Sequence, residues 1–280
     1  MPKPDIHPPH LWPAWLIALP GRLLRIYLLL CLIVALFQRH FLYHPRVLTP
    51  PQVDQQAIAQ QLERWRNPAG QPIGMQRRSP HQPAQGQILV TYGNENSATG
   101  GAAYADDLQS LGDFNVFILE YPGYADRPGK PTETSLFQAA DEALALLPTN
   151  QPTYLVGESL GTGVTAYLAG TQPRRINGIL LLAPYNHLSA VGQYHLPILP
   201  VWLLLADRFE SDKYLRQYHG PVGIVVGSVD RVVPAKLGRQ LFDDYAGPKK
   251  LWEFPHDDHN DVFTTLPAIG RQLLQLWQVK

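Results

Sequence analysis

From Gln87 to the C-terminus the chain alternates two kinds of segment, and this alternation limits the possible folds more than any other feature. Short apolar runs stand at residues 88–92, 116–119, 154–156, 179–183, 222–226 and 251–254. Between most of them lie stretches with apolar residues at helical spacing, at 132–147, 160–169, 235–245 and 262–277. Strands covered on both faces read as continuous apolar runs rather than as alternating ones. Strand alternating with helix therefore predicts an α/β domain, a mostly parallel sheet with helices on both faces. The 280 residues suit one such domain plus an appendage, and 45% apolar with 16% charged residues suits a well-filled core. In sheets of this kind ligands bind beyond the carboxyl ends of the strands, so the residues after each run are the candidates for chemistry.

After the run at 154–156 comes Gly157-Glu158-Ser159-Leu160-Gly161 and then a helical stretch. This is G-x-S-x-G in the strand–turn–helix setting that lifts a serine hydroxyl into the open at the positive end of a helix. Ser159 is the candidate nucleophile; the plainer reading is a glycine-rich turn with an incidental serine. A developing oxyanion needs fixed N–H donors. The amide of Leu160 is one, and Asn94, in the Gly93-Asn94-Glu95 turn after residues 88–92, is the other, unless that turn is an ordinary Asn-containing loop. The order serine, acid, histidine points to Asp230, just past residues 222–226, although an Asp there also suits a helix start. For the base, His256 and His259 both satisfy the order, and the reach needed to return over the sheet favours His259. Two histidines and three carboxylates within 256–261 also admit a metal site, a reading weakened because a triad uses one histidine and capping uses some of the acids.

The N-terminal third has a different character. Residues 26–37 are all apolar, and reading outward to 23–43 reaches the roughly twenty residues a bilayer-spanning helix needs. Arg25 and Arg39 stand near the ends, where cationic side chains reach the interface. A cleaved signal peptide is the alternative, but no small-x-small site follows Phe37; an apolar helix packed on the domain is another. Lys3, Arg22 and Arg25 before the run, against Arg39 and Arg46 after it, slightly favour the N-terminus inside. Residues 1–44 are thus expected to be tail and membrane anchor. Residues 45–85, rich in Pro, Gln and Arg, are expected to be linker and domain start, with a helix at 53–65 and an early strand near 73–78. Residues 86–280 form the expected catalytic domain, with a short cap at 185–220 whose strongly apolar part, 196–205, lines an acyl pocket, dips toward lipid or packs on the sheet. The lone Cys31 excludes an intrachain disulfide or thiolate cluster, and 23 basic against 23 acidic residues argue against nucleic acid as a partner. Glu158 reads either as a selector of a basic substrate group or as a local hydrogen-bond partner.

The stretch from about Gln87 to Phe263 resembles the membrane-anchored α/β-hydrolase-domain proteins. These form the serine-aminopeptidase-like branch that includes bacterial inner-membrane hydrolases and eukaryotic protein depalmitoylases. The matching residues are Tyr92-Gly93-Asn94, Glu120-Tyr121-Pro122-Gly123-Tyr124, Lys130-Pro131-Thr132-Glu133, Gly157 to Gly161, Leu199-Pro200-Val201, Asp207-Arg208-Phe209-Glu210-Ser211, Asp230 to Pro234, and His259-Asn260-Asp261. The resemblance implies the α/β-hydrolase fold and a Ser159–Asp230–His259 triad, His259 being the histidine followed by Asn-Asp. It also implies an oxyanion hole at Leu160 and Asn94, no cofactor or metal, an acyl substrate of small-molecule or lipid type, and attachment to a membrane, the bacterial inner membrane among those of the branch. Three positions depart from the pattern: Tyr92 where the family has His, Glu95 where it has a small or apolar residue, and His256-Asp257-Asp258 where it has Gly-x-Gly. An inward-pointing Glu95 would oppose charge in the oxyanion hole. The expected activity is hydrolysis of ester or thioester bonds; an aminopeptidase or amidase, and an inactive fold serving as a membrane-bound binding module, are its rivals.

Overall fold

The computed structural model describes residues 14–279; Lys3 of the charge comparison lies outside them. The chain opens with a long helix, α1 (Ala14–Leu42), then α2 (Pro50–Ala59) and two short strands, β1 (Glu63–Arg66) and β2 (Pro72–Arg77). The α/β alternation follows: β3 (Gly86–Thr91), α3 (Ala102–Leu111), β4 (Phe114–Leu119), α4 (Glu133–Leu146), β5 (Thr153–Glu158), α5 (Leu160–Thr171) and β6 (Gly178–Leu182). Three small helices, α6 (Leu188–His195), α7 (Val201–Leu204) and α8 (Ser211–Leu215), come before β7 (Val222–Gly227), α9 (Ala235–Asp244), β8 (Lys249–Phe254) and α10 (Leu266–Trp277).

The strands form one eight-stranded sheet in the order β1-β2-β4-β3-β5-β6-β7-β8. From β4 to β8 neighbouring strands are parallel, and these are the six apolar runs of the sequence. Every residue of β3, β5, β6 and β7 is buried, as strands covered on both faces require. Each fully buried Val, Leu or Ile there contributes on the order of 1.5–3 kcal/mol as an upper estimate. On the helical layers, Tyr154 of β5 stacks on Trp277 of α10 at 4.7 Å, and Phe137 of α4 stacks on Tyr167 of α5 at 3.9 Å.

Two local expectations change. The helix expected over 53–65 ends at Ala59, because Gln61 turns left-handed with φ 54°, and Glu63–Arg66 becomes an edge strand. β1 and β2 join the sheet antiparallel, through β2 against β4. Their side chains are charged or half-exposed except around Trp65 and Ile73–Met75, so they lack the continuous apolar signature.

In α1, Gly21–Leu42 is 22 residues long with mean hydropathy 1.8, long and apolar enough to cross a bilayer, and almost none of it is covered. The part that is covered meets the cap: Tyr27, Cys31 and Val34 pack with Leu199, Val201, Leu204 and Leu205 in a small cluster apart from the main core.

Candidate active site

The turn from β5 into α5 holds Ser159 at φ 47° and ψ −115°, a strained conformation for a residue with a side chain, costing about 1–3 kcal/mol. Two glycines make the turn possible. A Cβ on Gly157 would lie 2.6 Å from Thr165 Oγ1 and 2.9 Å from the Gly161 carbonyl, and one on Gly161 would overlap the Thr91 carbonyl. The Ser159 amide is tied back to the Leu182 carbonyl at 2.9 Å, which anchors the turn to β6.

The structure brings Ser159, Asp230 and His259 together from three strand ends. His259 Nε2 lies 3.1 Å from Ser159 Oγ, and His259 Nδ1 lies 2.7 Å from Asp230 Oδ2. Because the ionised carboxylate only accepts, the Nδ1–H donates to it and Nε2 is left to accept the serine proton. Asp230 is itself fixed: its Oδ1 accepts from the amides of Val232 and Val233, each at 2.8 Å, and its side chain is 1% exposed. Asp258, which accepts from the amides of Asn260 and Asp261, shapes the loop carrying His259, and the Asp258 amide donates to Asp261 at 3.0 Å. These acids serve the loop, and among the described residues no group of three His, Cys, Asp or Glu side chains converges as a metal site. His256 is exposed on the same loop.

The Leu160 amide opens α5, where it has no intrahelical acceptor. Asn94 sits at the facing turn, and it is the Asn94 side chain that the surrounding chain grips. Its Nδ2 donates to the Leu42 carbonyl at 2.6 Å, and its Oδ1 accepts from the His44 amide at 3.1 Å and the Tyr124 hydroxyl at 2.7 Å. The turn approaches so closely that a Cβ on Gly93 would lie 2.6 Å from the Glu158 carboxylate. Glu95 points outward, with its side chain 81% exposed and 3.4 Å from His44 Nδ1, so its charge stands away from the serine.

Behind the site lie three buried polar groups, Glu158, Tyr92 and Glu120, that belong to the sequence motifs but whose partners the sequence does not show. Glu158 accepts from the Tyr104 hydroxyl at 2.5 Å and from the Gly93 amide, and burial raises its pKa; it is a local hydrogen-bond partner. Tyr92, where the family pattern has His, donates to Glu120, which also accepts from the Ala98 amide at 3.0 Å. Burial pushes the Glu120 carboxyl up to about 7. The partners lie far apart in sequence, so only the fold reveals these pairs.

The doubly covered parallel sheet and strained serine turn define the class: the fold is that of the α/β hydrolases. Est1E from Butyrivibrio proteoclasticus shares it, with TM-score 0.61 and 15% identity over 77% of this chain and 98% of that one. So does a monoacylglycerol lipase from Paleococcus ferrophilus, with TM-score 0.56 and 19% identity over 77% of this chain and 99% of that one. Within the class, the chain is similar in sequence to a putative α/β hydrolase of Acanthamoeba polyphaga mimivirus, 27% identical over 64% of this chain and 68% of that one. It is 35% identical to an uncharacterized protein of Mycobacterium tuberculosis over 62% of this chain and 63% of the relative. It is 28% identical to the lysophosphatidylserine lipase ABHD12 of Danio rerio over 58% of this chain and 48% of that protein. The chain thus spans less than two thirds of the length of the latter two relatives. No family model matches it.

Proposed function

We propose that the chain is a membrane-anchored serine hydrolase that cleaves ester or thioester bonds of an acyl substrate. The observation that carries this reading is the hydrogen-bonded series Ser159–His259–Asp230 at the carboxyl ends of β5, β7 and β8. His259 takes the Ser159 proton as Oγ attacks the acyl carbonyl carbon, and Asp230 holds the ring and stabilises the imidazolium that forms. The amides of Leu160 and Asn94 hold the oxyanion. His259 then returns the proton to the departing alcohol or thiol, leaving an acyl-Ser159 ester. Water, deprotonated by the same imidazole, hydrolyses it and frees the acid. The outward Glu95 removes the electrostatic objection to this site.

Esterase and lipase names among the relatives support ester hydrolysis, and the apolar Gly21–Leu42 stretch supports residues 1–44 as the anchor, with 185–220 as the cap. A chain-length series of p-nitrophenyl esters beside aminoacyl amides tests the reading in the detergent-solubilised full chain. Ester turnover that disappears in Ser159→Ala is the expected result. Turnover unchanged by that substitution contradicts it, and turnover confined to amides moves the activity to an amidase.

A further inference from the structure

Cap residues 196–205, Leu-Pro-Ile-Leu-Pro-Val-Trp-Leu-Leu-Leu, carry no charge and no polar side chain other than the indole of Trp202. They do not fold under the domain. Ile198 is 80% exposed, Trp202 64% and Leu203 62%. The same segment runs alongside α1. The Tyr27 hydroxyl donates to the Ile198 carbonyl at 3.1 Å, and the Gln38 side chain donates to the Leu204 carbonyl at 3.1 Å and accepts from the Ala206 amide at 2.6 Å. Cys31 and Val34 fill the space between. Tyr27 to Gln38 covers roughly 16 Å of helix, about half of a hydrocarbon core of about 30 Å. A segment bound along that length shares its depth.

Irregular backbone enters hydrocarbon only if its polar groups are satisfied from within the protein. Here they are. Besides the bonds to Tyr27 and Gln38, the Gln193 side chain donates to the carbonyls of Leu196, Pro197 and Leu199 and accepts from the Val201 amide. Pro197 and Pro200 bring no N–H. A loop facing water has no need for this, because water would serve those carbonyls. The joint to α1 is also stiff rather than tethered: Arg39 pairs with Asp207 through two hydrogen bonds, and Tyr43 donates to the same carboxylate.

We propose that residues 196–205 enter the lipid bilayer beside α1, so that the cap side of the active site faces lipid. The apolar surface of the segment continues the exposed apolar surface of α1, which argues for lipid as its occupant. His195 Nε2 lies 2.9 Å from the Val232 carbonyl, joining this part of the cap to the Asp230 loop, whose Val229 and Val232 are half-exposed. Acyl substrate then reaches the site from the membrane rather than from water. The inference rests on α1 being a membrane anchor, and the test separates the two.

Cys31 is the only cysteine, so the full chain carrying Cys31→Ala accepts a single nitroxide label at Leu203→Cys, at Leu29→Cys on α1, or at Lys250→Cys on β8 as the aqueous reference. In vesicles of phosphatidylcholine and phosphatidylglycerol, the label at 203 is expected to collide preferentially with oxygen, as the label at 29 does, while the label at 250 collides with a water-soluble nickel chelate. Nickel access at 203 with oxygen preference at 29 overturns the insertion and leaves the anchor standing. Nickel access at 29 overturns both. Shielding of 203 from both quenchers means that protein, such as a second copy of the chain, covers the segment, and this also overturns the proposal.

Discussion

The turn that carries Ser159 and cap residues 196–205 are built on opposite principles. In the turn, position is enforced by what cannot fit: Cβ atoms at Gly157 and Gly161 would collide with backbone or buried side chains, and the polar groups behind it are buried and paired. In the cap, apolar side chains are left uncovered while backbone carbonyls are satisfied by Gln193, Gln38 and Tyr27. The turn is suited to chemistry on any substrate placed there. The cap is suited to a particular surrounding, and so bears on which substrates arrive. Changes in the first region should act on turnover of every ester, whereas changes in the second should act only where lipid is present.

The largest expected effect lies at the serine and its base. Ser159→Ala or His259→Ala should lower kcat by about 10⁴–10⁶ with soluble and lipid esters alike, read by ester hydrolysis. A loss limited to lipid esters would erase the contrast between the regions.

Next comes the buried carboxyl behind the turn. Glu120 is held at about 7 in the fold by burial, against an ordinary value of 4.5. The folded state therefore binds the proton more tightly than the unfolded state, and this contribution to stability falls as pH rises from about 4.5 to 7, by up to roughly 3 kcal/mol. Denaturation midpoints at pH 5 and 7 should differ less in Glu120→Gln than in the parent chain. Glu158, raised in the same direction, leaves a residual slope.

Asn94 connects the two regions, since its side chain ties the turn after β3 to Leu42 and His44, where α1 leaves the cap. Asn94→Ala keeps the backbone amide but frees the turn, and kcat should fall about 10- to 100-fold with KM little changed. A change in KM alone would place Asn94 in substrate binding instead. The smallest effect is expected in the cap. Trp202→Ser with Leu203→Ser should lower hydrolysis of a vesicle-embedded ester by about tenfold and that of a short soluble ester less than twofold. Equal losses on both substrates would assign these side chains a packing role.

The sequence was legible where a single physical requirement dominates a run of residues. β3 to β7 are covered on both faces or nearly so and appear as apolar runs, the edge strand β8 buries only Trp252 but keeps apolar residues at 251, 252 and 254, and the serine turn needs its two glycines at fixed offsets. Ser159 and Asp230 could be proposed because each follows the end of a strand, whereas His256 follows β8 as well and only the reach of the loop and the His259-Asn260-Asp261 match favoured His259. β1 was not legible, since Glu63, Arg64 and Arg66 flank a single buried Trp65, and the left-handed Gln61 that stops α2 leaves no mark in composition. The direction of Glu95, the pairing of Tyr92 with Glu120 and the seating of Arg39 on Asp207 all depend on partners distant in the chain. No local pattern encodes them.

The most direct measurement for the central claim is peptide mass spectrometry of the full chain after reaction with a fluorophosphonate. A phosphonyl adduct confined to the peptide containing Ser159, and absent after His259→Ala, is the predicted result. An adduct on another residue, or one on Ser159 that forms at the same rate without His259, would contradict the account.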